Sequence, residues 1–170
     1  MNRTYDRAWY MDKIRRIYEI IPDCAISSDI ITGFCTETES DHQDSLSMIS
    51  FARYTMSYMF AYSERPGTLA ARKWEDDIPE ATKQRRLQEV ITLQREVSHQ
   101  ENKKDIGKIF EILVEGKSKK RSDQLKGRTS QNKMVIFNDQ PGIQAGDFVF
   151  VKIIDCTSAT LIGEPITQNN

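Results

Sequence analysis

What the chain lacks narrows it first. Its three cysteines, Cys24, Cys35 and Cys156, stand 11 and 121 residues apart. That spacing suits neither a disulfide framework nor a C-x-x-C metal knuckle, so each reads as a small buried hydrophobe. No apolar run approaches the roughly 20 residues that a membrane span needs, and the N-terminal MNRTYDRAWY has no apolar core of the kind a signal peptide carries. The cytoplasm is therefore the expected location, with no membrane partner. There is no G-x-S-x-G and no phosphate loop, and the two histidines, His42 and His99, fall on what read as polar helix faces without a nucleophile nearby. An α/β enzyme working by acid–base chemistry is the reading these absences support least. Disorder is excluded too, since 38% hydrophobic and 29% charged residues are ordinary for a globular chain, and 170 residues hold one domain or two small ones.

What is present is unevenly distributed. The chain carries a net charge of −1, yet residues 103–133 hold ten cations and four anions. This stretch contains VEGKSKKRSDQLKGRTSQNKMVIF, a basic loop between two apolar runs that look like strands of a small barrel. Lys117, Lys119, Lys120, Arg121, Lys126, Arg128 and Lys133 supply charge, and Asn132, with Ser130 and Gln131, adds donors suited to phosphate and ribose. Such a patch attracts a nucleic-acid backbone and releases its counterions without reading sequence. A solvated surface turn is the plainer alternative, and the residues alone leave both open.

Tyr10, Ile14, Ile17, Tyr18 and Ile21 recur at helical spacing, so residues 7–21 predict an amphipathic helix capped by Asp6 and stopped by Pro22. Cys24–Phe34 reads as a parallel strand buried on both faces and ended by Gly33. Thr38-x-x-Asp41 and Ser40-x-x-Gln43 both resemble capping boxes for a helix over about 41–53. Met56–Tyr62 is a second strand, running into Ser63-Glu64-Arg65-Pro66-Gly67-Thr68, where α/β folds place binding loops. A long helix follows from Pro79 to about Lys104, opened by Asp77, with Leu87, Val90, Ile91, Gln94 and Val97 on one stripe and charge outside.

Beyond Gly107 the period changes. Runs at Ile109–Val114, Gln124–Thr129, Met134–Phe137, Phe148–Ile154 and Ala159–Gly163, with turn signals at Gly116, Pro141-Gly142 and Gly146-Asp147, predict a five-stranded all-β barrel of the oligonucleotide-binding kind. The division expected is 1–106, α/β, and 107–170, all-β. The first part offers only two parallel strands, which cannot close a barrel or shield both sheet edges, so its remaining strands are expected to lie before Met1.

MNRTYDRAWY, PDCAISSDIITGFCTETESD, YSERPGT and VEGKSKKRSDQLKGRTSQNKMVIF resemble, in that order and spacing, the C-terminal part of the radical S-adenosylmethionine methylthiotransferases that act on tRNA, the tRNA-2-methylthio-N(6)-dimethylallyladenosine synthase family. The resemblance implies the end of a radical SAM β/α barrel in residues 1–106 and a TRAM RNA-binding domain in 107–170. It implies, for the intact enzyme, [4Fe-4S] clusters, S-adenosylmethionine, and transfer of a methylthio group to C2 of N(6)-dimethylallyladenosine beside the anticodon. The implied partner is the tRNA anticodon stem-loop, with no DNA and a monomeric enzyme. The family segment usually written G-F-P-G-E-T is here Gly33-Phe34-Cys35-Thr36-Glu37-Thr38. Gly33, Phe34, Glu37 and Thr38 match it, and with Arg65 they are the implied neighbours of S-adenosylmethionine or substrate. Cys35 is no cluster ligand, because it has no cysteines at ligand spacing. The cluster and catalytic residues would lie upstream, so this stretch by itself is expected to hold no metal or cofactor and to be inactive. A free-standing RNA-binding module and a methylthiotransferase acting on a ribosomal protein stand as alternatives, and the basic run favours RNA over the latter.

Overall fold

The computed structural model describes residues 4–119 and 121–166. They form two compact units, Met1–Val97 and Ser98–Asn170, with the division falling inside one long helix.

The first unit runs α1 (Arg7–Ile20), β1 (Ser27–Thr32), α2 (Glu39–Ala52), β2 (Met56–Ala61), α3 (Leu69–Lys73) and most of α4 (Glu80–Lys103). Asp6 accepts the Trp9 N–H and starts α1. Of the two capping boxes the sequence offers, the fold uses Thr38 and Asp41, each side chain bonding the other's backbone N–H. β1 and β2 pair in parallel, Ile30 opposite Met59, and α2 connects them. Ile14, Ile49, Ala52, Tyr54, Val90 and Val97 make the core.

Three expectations fail here. β1 is not buried on both faces: Asp29 and Ile31 are exposed, as are Tyr58 and Phe60 opposite them on β2, because no described element covers that side of the sheet. Asp77 does not turn toward the start of α4; its carboxylate accepts the Thr36 N–H at 2.8 Å, across the loop after β1. Nor is the charge on α4 all outside, for Lys83 and Arg86 lie on the buried stripe with Val90, Gln94 and Val97. Gln94 is accommodated by full pairing, donating to the Tyr54 carbonyl and accepting from Ser57. The five-residue α3 had no sequence signal.

The second unit is a closed barrel of β3 (Ile109–Lys117), β4 (Gln124–Arg128), β5 (Met134–Asn138), β6 (Phe148–Cys156) and β7 (Leu161–Pro165), in the order β3-β4-β5-β7-β6. Only β5 and β7 pair in parallel. Ile112, Val114, Leu125, Val135, Phe137, Val151, Ile153 and Leu161 fill it. Gly127 has to be glycine on packing grounds, since a Cβ there would lie 2.5 Å from the Leu113 carbonyl oxygen. Gly116 is not the expected turn: it sits within β3, at φ +123° beside the register shift after Val114, and so marks a β-bulge. Among the described residues no helix is long and apolar enough to cross a membrane.

Candidate nucleic-acid interface

The basic residues collect on one side of the barrel. Lys119 and Arg121 are exposed on the β3–β4 loop, while Lys126 and Arg128 point outward from β4, opposite Ile136 and Met134 of β5. Arg121 makes a forked pair with Asp123, Nε to Oδ1 at 3.0 Å and Nη2 to Oδ2 at 2.6 Å, which lowers the aspartate pKa and raises the arginine's. Lys117 pairs with Asp139. Arg128 reaches Glu115 at 2.9 Å and both the carbonyl and the side-chain oxygen of Asn132 at 3.0 Å, and Asn132 itself turns at φ +62°. Lys119 and Lys126 have no ion-pair partner among the described residues. Lys120 lies outside the described residues.

These cations are not equivalent. The Arg121–Asp123 pair is exposed and screened by solvent, so a phosphate can displace the carboxylate at little cost. Lys133 differs: its ammonium lies 2.5 Å from Asp105, and both side chains are largely buried, 12% and 9% exposed. It is fixed to the barrel's own structure and offers no charge outward, contrary to its place in the expected grip.

In the first unit, the loop that follows β1 is tied down by its own side chains. Gly33, at φ +71°, donates its N–H to both Glu37 carboxylate oxygens at 3.0 Å. Arg86 donates to the same carboxylate at 2.9 Å and to the Glu37 carbonyl at 3.0 Å. Glu37 is thus a clamp for the loop, with its oxygens facing inward, and Thr38 is the cap of α2. Phe34 remains available on one side, its ring edge-on to Tyr62 at 5.0 Å and to Trp74 at 6.2 Å. Cys35 is buried, and its thiol beside the Tyr62 hydroxyl pushes that phenol up to about 12. Lys83 pairs with Asp76 at 2.5 Å beneath this aromatic group, 5.5 Å from the Tyr62 ring. Arg65 is exposed in the turn closed by Thr68, whose hydroxyl donates to the Arg65 carbonyl.

The histidines depart from the sequence reading. His42 is fully buried and meets Glu89 through Nε2 at 2.7 Å; His99 is half-buried, its Nδ1 3.9 Å from the Cys156 sulfur. Glu39, His42 and Glu89 are close enough to hold a metal ion. Their positive partner is instead arginine: Arg85 lies 2.7 Å from Glu39 and 2.6 Å from Glu89. The Arg85 hydrogen bond holds the Glu39 carboxyl down to about 2, and His42, followed by Arg85, lowers that of Glu89.

A family model for the TRAM domain matches residues 103–166. The chain is 57% identical to a tRNA-2-methylthio-N(6)-dimethylallyladenosine synthase of Amoebophilus asiaticus over 99% of its own length and 35% of that protein's. It is 52% identical to the synthase of that name from Parabacteroides distasonis, over 99% of itself and 36% of the relative, and 54% identical to that of Christiangramia forsetii, over 100% and 36%. The chain therefore spans about a third of the length of these curated relatives. Within that third it belongs to the tRNA-2-methylthio-N(6)-dimethylallyladenosine synthase family and carries the family's TRAM domain.

Proposed function

We propose that the chain provides the tRNA grip, and part of the cofactor-side wall, of an enzyme that places a methylthio group on C2 of N(6)-dimethylallyladenosine beside the anticodon. The reading is carried by more than 50% identity to synthases named for that product over essentially the whole chain. The one-sided display of exposed cations on the barrel supports it independently. Lys119, Arg121, Lys126 and, by exchange of its carboxylate partner, Lys117 hold backbone phosphates. These contacts position the anticodon stem-loop without reading it. The enzyme acts in the cytoplasm as a monomer.

The residues around Phe34 suit an adenine-bearing ligand. Phe34, Tyr62 and Trp74 present aromatic edges, and Thr32 Oγ1, at the end of β1, is buried with no hydrogen-bond partner. S-adenosylmethionine bound there supplies the radical chemistry of the family. Phe34 packs against the adenine, while Glu37 and Arg86 keep the loop in shape and Arg65 offers a charge to a carboxylate or phosphate. Iron–sulfur ligands do not fit these residues, since the sole candidate metal group among those described contains no cysteine.

A salt titration tests the grip. Binding of modified and unmodified anticodon stem-loops is measured for the chain and for a Lys119→Ala, Arg121→Ala, Lys126→Ala variant. The variant is expected to bind both RNAs more weakly by the same factor, with the salt slope flattened by roughly one for each phosphate-binding cation removed. Equal affinity and equal slope for the two proteins remove this loop from the interface.

A further inference from the structure

The barrel has a second outer face, of opposite character. On β3 and β6 the outward ladder is Ile109 opposite Lys152, Glu111 opposite Phe150, and Leu113 opposite Phe148. Four of these six are large and apolar, and they are far from covered: Ile109 is 56% exposed, Leu113 40%, Phe148 65% and Phe150 43%. Ile166 extends the patch, its N–H bonded to the Phe150 carbonyl and its side chain 39% exposed. A contiguous apolar surface of this kind on a small domain marks an interaction site.

We propose that this face docks onto protein, and that its occupant is the remaining two thirds of the synthase chain, the part of the relatives that these residues do not span. The inference rests on the family membership established above. Two observations choose the occupant. The face carries one charge of each sign, Glu111 and Lys152, and Lys152 is itself opposite Glu164 on β7, so nothing here draws in a phosphate backbone. RNA is already served by the cations on the β4 side. The second observation is one of length: relatives extend over nearly three times the residues present here. A patch of a few side chains is smaller than the roughly 1,200–2,000 Å² that a stable interface between free proteins buries. It suffices where the partner is covalently tethered, because tethering supplies an effective concentration in the millimolar range. A tethered domain fits this face better than a second copy or a free protein.

The test grafts this chain into the Amoebophilus asiaticus synthase in place of its matching segment, which the 57% identity makes feasible. Photochemical carbene labelling with mass-spectrometric readout is run on the chain alone and on the graft. At Leu113, Phe148 and Phe150 we expect labelling to fall at least five-fold in the graft, with Lys119 and Arg121 unchanged. A Leu113→Ser, Phe148→Ser, Phe150→Ser variant should keep the melting temperature of the chain alone, since these side chains already face solvent, and lower that of the graft. Equal labelling in the two contexts overturns the proposal. So does protection of these residues by tRNA, or by raising the concentration of the isolated chain, since either puts a different occupant on the face. Stem-loop binding measured on the same samples follows the basic loop, so loss of the tRNA reading registers separately.

Discussion

The two β structures of this chain solve the backbone problem differently. The barrel gives each of its five strands two neighbours, so its ladder hydrogen bonds close on themselves. β1 and β2 have only each other, and both keep an open edge and an exposed apolar face. What holds each unit follows from this. The barrel depends on a continuous apolar interior, whereas the first unit adds to its smaller core a set of charged groups from α4, with Arg86 and Lys83 buried against Glu37 and Asp76. The difference teaches that the barrel should respond to lost volume and the first unit to lost pairing.

The sharpest way to break that comparison is to empty the barrel. Phe137 is 1% exposed, and Phe137→Ala should cost the barrel about 3–5 kcal/mol. Both tryptophans, Trp9 and Trp74, lie in the first unit, so their fluorescence does not see the barrel. Denaturation followed by hydrogen exchange in β4 and β5 should show the loss while the tryptophan transition stays in place. Equal movement of both signals means that the units unfold as one, and the contrast drawn here disappears.

The converse experiment removes a charge. Arg86 is 4% exposed, and Arg86→Met leaves the Glu37 carboxylate half-paired beneath the loop, for an expected loss of about 3 kcal/mol in the tryptophan transition. Adding Glu37→Gln should recover part of it, because the stranded charge goes too. If the double variant is less stable than the single one, the clamp acts through its Gly33 hydrogen bonds and the ion pair is secondary.

How far the sequence shows these features depends on whether the cause is local. The Asp6 cap, the Thr38–Asp41 box and the five barrel strands are set by neighbours a few residues apart, and all were legible. His42 finds Glu89 47 residues away, and Arg86 finds Glu37 49 away. No spacing rule reaches that far, so a buried histidine and two buried cations on α4 read as solvent-facing. The face of β6 was hidden for another reason. In FVFVKII both parities are apolar, and alternation cannot say that Val151 and Ile153 go inside while Phe148 and Phe150 go out. The apolar docking face therefore left no trace, while the basic loop, read from charge alone, was plain; what the charge could not show was that Lys133 is paired inward with Asp105.

A smaller effect sharpens the barrel side. Gly127→Ala places a methyl group against the Leu113 carbonyl and Ile112, and overpacking of this kind costs about 1–3 kcal/mol. Hydrogen exchange should quicken along β3 and β4 with the tryptophan signal unmoved. A neutral result would mean that β3 yields at its bulge.

The finest distinction is in acid. The Arg85 hydrogen bond holds Glu39 at about 2 against an ordinary 4.5, so between these values the unfolded chain binds a proton that the folded one does not. The contribution of this group to stability is therefore complete above about 4.5 and drains away as the pH falls toward 2. Glu39→Gln removes the titrating group, and the fall in first-unit stability between pH 5 and pH 3, measured by tryptophan fluorescence in denaturant, should become shallower. Because the pair with Arg85 is exposed on both sides, high salt should shrink the difference between the two proteins. The barrel has its own exposed pair of this type in Arg121–Asp123, so hydrogen exchange in β3 and β4 should keep its full acid dependence in the Glu39→Gln variant. Identical acid slopes for wild type and variant in the tryptophan signal would move the acid sensitivity of the first unit to Glu89 and Asp41, the other carboxyls there whose pKa values are lowered.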